Sequence, residues 1–222
     1  MVAGDYYGSA FGAIFSAYME RPRLNRVLAR VIWGSDVRPY YESMRAIAEA
    51  PRESTIVDCP CGAGPAFRSL DPGRPGRYVA ADLSPSMLRR ASSRAFKRDL
   101  GKIEVVRASA TDLPLEAGEA NLYMSLWGLH CFDDPRTALA EAARVLEPDG
   151  RLVGCCFVLG GNGLRSRLLL HPGRGDLGPI GSENDILGWL RESGFELSSR
   201  HRSGAMLYFD ARLGGDPASA VP

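Results

Sequence analysis

Two acidic residues and a pair of glycines mark where this chain could do chemistry. The stretch Val57-Asp58-Cys59-Pro60-Cys61-Gly62-Ala63-Gly64 places a carboxylate and Gly62 and Gly64 after a short apolar run. Glycine lets the backbone approach a ligand closely, and a helix starting there would offer unpaired N–H groups to a carboxylate. Asp82 ends a second apolar run, about twenty residues further on. A carboxylate at that place can accept hydrogen bonds from both hydroxyls of a ribose. The dinucleotide fingerprint needs a third glycine three residues after the second, and Phe67 stands there instead. No Gly-x-x-x-x-Gly-Lys phosphate cradle occurs either. The pattern fits a ligand that carries adenosine but no phosphates.

These residues need a scaffold that brings two strand ends together. From Ser54 onward, short apolar runs alternate with helical segments. Strands are expected at Thr55–Asp58, Tyr78–Asp82, Ile103–Arg107, Asn121–Leu126 and Arg151–Val158. Runs that are apolar along most of their length suit strands covered on both faces. Ser84 with Pro85 reads as a helix start, and Pro135 opens another helix with an apolar stripe of Leu139, Ala142, Ala143 and Leu146. Pro148-Asp149-Gly150 is expected to turn the chain into the fifth strand. Alternation of this kind predicts an α/β fold, a Rossmann-like doubly wound sheet that is mostly parallel. Beyond it, Leu164–Leu170 suits a short helix between glycine-containing loops. Ser182 and Asp185 fit the start of a helix ended by Gly194. Phe195–Arg202 and Ala205–Leu213 read as strands joined tightly through Ser203-Gly204, which makes a seven-stranded sheet with an antiparallel last strand. Residues 1–50 read as an N-terminal helical cap, 51–213 as the ligand-binding domain and 214–222 as a frayed tail.

Composition excludes several classes. The chain has 27 basic and 26 acidic residues, a formal net charge of +1. That balance offers no electrostatic reason for a nucleic acid or an anionic membrane as main partner. No apolar run reaches the roughly 20 residues that span a bilayer, and no secretory pattern is evident, so the cytoplasm is the expected compartment. The five cysteines form neither a disulfide framework nor a zinc pattern, and no metal is expected.

Five segments in order resemble the class I S-adenosylmethionine (SAM)-dependent methyltransferase family, over about residues 54–213. Asp58-Cys59-Pro60-Cys61-Gly62-Ala63-Gly64 is similar to the family's first motif, and Asp82-Leu83-Ser84-Pro85-Ser86-Met87-Leu88 to its acidic second motif. Ala108-Ser109-Ala110-Thr111-Asp112-Leu113-Pro114 is similar to the adenine-contacting segment. Ser125-Leu126-Trp127-Gly128-Leu129-His130 matches the segment after the fourth strand. Arg144-Val145-Leu146-Glu147-Pro148-Asp149-Gly150-Arg151-Leu152 is similar to the helix-turn-strand signature. Pro60 departs from the pattern, because it replaces the first motif glycine and has no N–H to donate. Asn121 stands where the family often has Asp, and Ser109 where it often has Asp or Asn.

The resemblance implies SAM as cofactor, S-adenosylhomocysteine (SAH) as product and a set of roles. Asp58 would organise the ammonium end, with Cys59, Cys61, Gly62 and Gly64 along the methionine part. Asp82 would hold the ribose. Leu83 and Met87 would wall the adenine, and Ser109, Ala110 and Thr111 would meet its edge. Ser125 and Leu126 would line the sulfonium side. His130, at the reactive end, is the candidate general base, since an imidazole can take a proton near neutral pH. Tyr6, Tyr7, Phe11 and Tyr18 recur at near-helical spacing and would supply a substrate lid, with core packing as the plainer account of most such aromatics. Arg89, Arg90, Arg94, Lys97 and Arg98 read as a solvated helix face. The expected activity is methyl transfer to a small molecule, with oxygen favoured over nitrogen or carbon by family habit. The alternatives are a fold member that binds SAM or SAH without transferring methyl, a nucleic-acid methyltransferase (whose Pro-Pro-Tyr type motif is missing) and a non-enzymatic binding protein. Monomer and homodimer remain equally open.

Overall fold

The computed structural model describes residues 18–19, 21–73, 76–160 and 179–214. Tyr6, Tyr7, Phe11, the expected helix at Leu164–Leu170 and the tail beyond 214 lie outside the described residues.

Among the described residues, α1 (Pro22–Trp33), α2 (Arg38–Ser43) and α3 (Ala46–Glu49) precede the sheet. Then follow β1 (Thr55–Asp58), β2 (Arg77–Asp82), α4 (Pro85–Lys97), β3 (Ile103–Arg107), β4 (Ala120–Leu126), α5 (Pro135–Val145), β5 (Leu146–Phe157), α6 (Glu183–Glu192), β6 (Phe195–Ser203) and β7 (Met206–Leu213). The seven strands lie in the order β3-β2-β1-β4-β5-β7-β6. Neighbours from β3 to β5 pair in parallel, and β7 runs against both β5 and β6. The expected α/β sheet is therefore present with its antiparallel last strand. Strand order reverses between β1 and β4, which puts the ligand crevice of such folds beyond the carboxyl ends of these strands.

Period-two alternation fills two cores. Ile56 faces Tyr40, Phe67, Tyr78 and Met124 on one side of the sheet. Its neighbour Val57 faces Tyr123, Leu139, Leu152 and Leu190 on the other. The central strands β2 and β4 are buried almost throughout, whereas β3 and β6 carry exposed residues at the two edges.

Helix starts follow their caps. Ser84 Oγ accepts from the Met87 N–H at 3.4 Å, with Pro85 in the first turn. Asp134 caps α5. Ser182 and Asp185 form a reciprocal capping box for α6. Asn121 acts as a staple at the opposite end of the sheet. Its Oδ1 accepts from the Thr55 N–H at 2.8 Å, while its Nδ2 donates to Glu147 at 2.6 Å. A carboxylate could not make the second bond to Glu147, which accounts for an amide here.

Two expectations need correction. No α-helix follows Gly64: the crossover to β2 contains a five-residue 3₁₀ turn, Pro65–Ser69. Asp71-Pro72-Gly73 interrupts any continuation. Strand β5 begins at Leu146, which pairs with Ala120, so the Pro148-Asp149-Gly150 turn is an irregularity inside the strand rather than its entrance.

The N-terminal helices are stitched to the β6–β7 hairpin. Ser203 Oγ accepts from the Asp36 N–H at 2.8 Å, and Tyr208 donates to the Asp36 carbonyl at 2.8 Å. Gly204 has φ of +57°, and a Cβ there would lie 2.5 Å from the Gly34 carbonyl oxygen. Gly204→Ala should lower the urea midpoint with little change in slope, at a cost of at least about 1–2 kcal/mol. An unchanged midpoint would show that this contact does not hold the helices to the hairpin.

Candidate functional site

The loop after β1 is fastened on both sides. The Cys59 N–H donates to the Met124 carbonyl at 2.9 Å, and the Cys61 N–H to the Ala81 carbonyl at 2.8 Å. Pro60, between them, has no N–H to place. The Gly62 N–H donates to Asp82 Oδ2 at 2.8 Å, and the Ser84 N–H donates to Asp82 Oδ1 at 2.8 Å. One carboxylate thus joins the glycine loop to the start of α4. Burial raises the Asp82 pKa, and the backbone donors at Ser84 and Gly62 oppose that rise. A carboxylate offers about four lone-pair positions, and those the backbone leaves are open to a ligand.

A cavity of about 330 Å³ opens beside this bridge, at the carboxyl ends of β1, β2 and β4. It lies within the roughly 300–1,000 Å³ range of small-molecule sites. Asp58, Cys59, Cys61, Gly62, Asp82, Leu83, Met87, Ser109, Ala110, Thr111, Leu126 and His130 all line it. Two expected residues are not among its lining residues. Gly64 has φ of +73° and packs against the Phe67 ring, which a Cβ would meet at 2.4 Å. Ser125 is buried behind the wall, where its Oγ would lie 2.1 Å from a Cβ at Gly128. Tyr18 packs on the core beside the helices, and its neighbour Met19 lines the cavity.

Asp58 is fully buried and accepts from the Tyr78 hydroxyl at 2.9 Å. Burial pushes its pKa up to about 7, the Tyr78 hydrogen bond pulls it down and the Asp82 charge adds to the rise. Ser109 and Thr111 hydroxyls share a 2.8 Å hydrogen bond, which fixes the turn that follows β3.

The far end of the cavity is aromatic. Trp127 sits at φ of +62°, a backbone region costly for a side chain of this size. Its ring meets Phe157 at 5.0 Å and Tyr40 at 6.2 Å between centroids. His130 Nδ1 accepts from the Phe157 N–H at 3.2 Å, which assigns the ring proton to Nε2. Burial lowers its pKa to about 3. The imidazole is therefore held neutral as an Nε2–H donor. An imidazole that takes a proton near neutral pH, as the sequence suggested, is not what this geometry provides.

Residues 57–154 match a family of methyltransferase domains. The sheet order, the acid at the end of β2 and the glycine loop agree with that match. Residues 57–154 are similar to methyltransferase domains, and the strand order is that of the class I methyltransferase fold. The chain is similar to a ubiquinone/menaquinone biosynthesis C-methyltransferase of Methylobacterium nodulans, with 36% identity over 104 residues, covering 46% of this chain and 41% of the relative. It is similar to a malonyl-acyl-carrier-protein O-methyltransferase of Hahella chejuensis, with 34% identity over 113 residues, covering 50% and 39%. The chain spans about half the length of the curated relatives it matches. Among solved structures, the 4+2 cyclase SpnF shares the fold with a TM-score of 0.67 at 17% identity, covering 91% of this chain and 96% of that one.

Methyltransferase domains of this class use SAM, and the donor set here fits it. Asp82 has lone pairs for ribose hydroxyls. Leu83 and Met87 offer apolar walls for a purine, and Asp58 offers a carboxylate for an ammonium. Some cavity-lining positions are not evident from sequence. Trp127 reads only as part of a motif and Arg94 as part of a solvated face, although both line the cavity. The truncated crossover after Gly64 is the signal that could have revealed Arg94, because it leaves α4 next to the loop.

The raised Asp58 pKa carries a stability prediction. The folded protein holds this proton up to about pH 7, whereas the unfolded chain releases it near pH 4. Asp58 therefore makes the ligand-free protein lose stability as pH rises from about 4 to about 7, and contributes no further slope above that. Asp58→Asn should flatten this fall, gaining stability relative to wild type as pH rises through that window. Urea unfolding at several pH values checks it, and parallel wild-type and variant profiles would contradict it.

Proposed function

We propose that this protein is a SAM-dependent methyltransferase that acts on a small apolar acceptor. The observation that carries the reading is the Asp82 bridge, which holds the glycine loop and the start of α4 around a cavity at the switch point. SAM supplies a methyl group on a positively charged sulfur, transferred by in-line displacement. Proximity and alignment can provide much of the rate for such a step.

The chain's own residues bind and orient. Asp82 holds the ribose hydroxyls. Leu83 and Met87 hold the adenine faces, and Ser109, Ala110 and Thr111 meet its edge. Asp58 pairs with the ammonium. The backbone of Cys59, Cys61 and Gly62 runs along the methionine arm, and Leu126 borders the sulfur. His130 donates Nε2–H to a polar atom of the acceptor and fixes its approach. Trp127 and Phe132 give the acceptor an apolar wall. Met19 borders the cavity on the side of the segment before β1 and would contribute to the acceptor's wall. The expected preference for oxygen has no support from the relatives, whose names include both C- and O-methyltransferases.

Two measurements test the reading. Calorimetry with SAH should show binding that Asp82→Ala weakens by about 10- to 100-fold, the worth of one or two lost charge-assisted hydrogen bonds. Incubation with methyl-labelled SAM and panels of quinone, phenol and carboxylic-acid acceptors should yield a labelled small molecule. Tight SAH binding without any methylated product would favour a different reaction on the same fold, as the cyclase neighbour illustrates. No affinity for SAM or SAH would overturn the proposal entirely.

On a working acceptor, His130→Ala should lower kcat several-fold without removing any titration step between about pH 5.5 and 8. Loss of a pKa near 6.5 from the wild-type profile would restore the general-base reading.

A further inference from the structure

The aminoacyl end of SAM carries two charges on one carbon substituent set, an ammonium and a carboxylate. Asp58 suits the first. The loop offers the second little. The N–H groups of Cys59, Cys61, Gly62 and Gly64 already donate to the Met124 carbonyl, the Ala81 carbonyl, Asp82 and the Cys61 carbonyl, and Pro60 has none, which leaves the Ala63 N–H. A single N–H does not balance a carboxylate's charge, which a cationic side chain would.

Arg94 lines the same cavity as Asp58 and the loop residues Pro65 and Ala66, and it is half-buried. Among the described residues lining the cavity, Asp58, Asp82, Asp133 and Asp134 are acidic, and Arg94 is the one lysine or arginine. Its reach follows from the fold. With only a 3₁₀ turn between β1 and β2, α4 lies directly against that turn, where Arg98 Nη2 donates to the Arg68 carbonyl at 3.3 Å. Arg94 is one helical turn before Arg98 and so lies over the same loop.

We propose that Arg94 binds the α-carboxylate of SAM, opposite Asp58 on the ammonium, an inference that rests on the SAM reading above. A guanidinium presents a planar fork matched to a carboxylate, which a lysine or an amide does not reproduce.

The test compares two ligands on the intact protein by calorimetry: SAH, and decarboxylated SAH, which keeps the amine and loses the carboxylate. The wild type should prefer SAH by about 10- to 100-fold. Arg94→Gln should bring that preference to within about threefold while binding decarboxylated SAH as the wild type does. Arg94→Lys should keep an intermediate preference, and it carries the test if the Gln variant fails to fold. A preference as large in the variants as in the wild type would overturn the inference, as would an equal loss of affinity for both ligands. A wild type that binds neither ligand would instead bring down the SAM reading and the inference with it.

Discussion

The site depends on one carboxylate being buried with its partners already in place. Asp82 is 8% exposed, and each of its oxygens receives a backbone N–H, from Gly62 and from Ser84. Burying an acid without such donors would cost several kcal/mol and would neutralise it. With them, the acid orders the loop and the helix start, which then form two walls of the cavity. A ligand entering the cavity would meet a carboxylate whose position has been settled by folding, so little reorganisation would be needed on binding.

The same logic runs through the rest of the cavity. Asp58 is held at the edge of ionisation by burial and by the Tyr78 hydroxyl, so a ligand ammonium can shift it to the charged form. His130 is kept neutral by burial and oriented by the Phe157 N–H, which leaves a single donor as its contribution. Trp127 occupies a costly backbone region, held there by its N–H bond to the Cys155 carbonyl and by Tyr40 and Phe157. Each of these groups is set by sheet and core contacts rather than by a flexible loop.

Much of this was legible in the residues because short-range rules govern it. Strands with both faces covered read as apolar runs, and Ser84-Pro85 and Ser182 with Asp185 announced their helices through capping chemistry. Asp82 was legible because an acid at a strand end, spaced from a glycine loop, has few other uses. What escaped depends on long-range packing. Gly64 reads as a ligand glycine, yet its conformation serves the Phe67 ring. Arg94 reads as one of several surface cations on an amphipathic helix, and only the shortened crossover turns it inward. The protonation of His130 follows from a backbone N–H on a strand 27 residues away, which no local pattern encodes.

The measurement that bears most directly on this account is a crystal structure of the protein with SAH bound. The ribose hydroxyls should lie within hydrogen-bond distance of the Asp82 carboxylate, with its bonds to the Gly62 and Ser84 N–H groups intact. The adenine should lie between Leu83 and Met87, and the sulfur should point toward Leu126 and His130. A ligand seated elsewhere, or an Asp82 that must leave Gly62 to meet the ribose, would contradict the claim that folding alone builds the site.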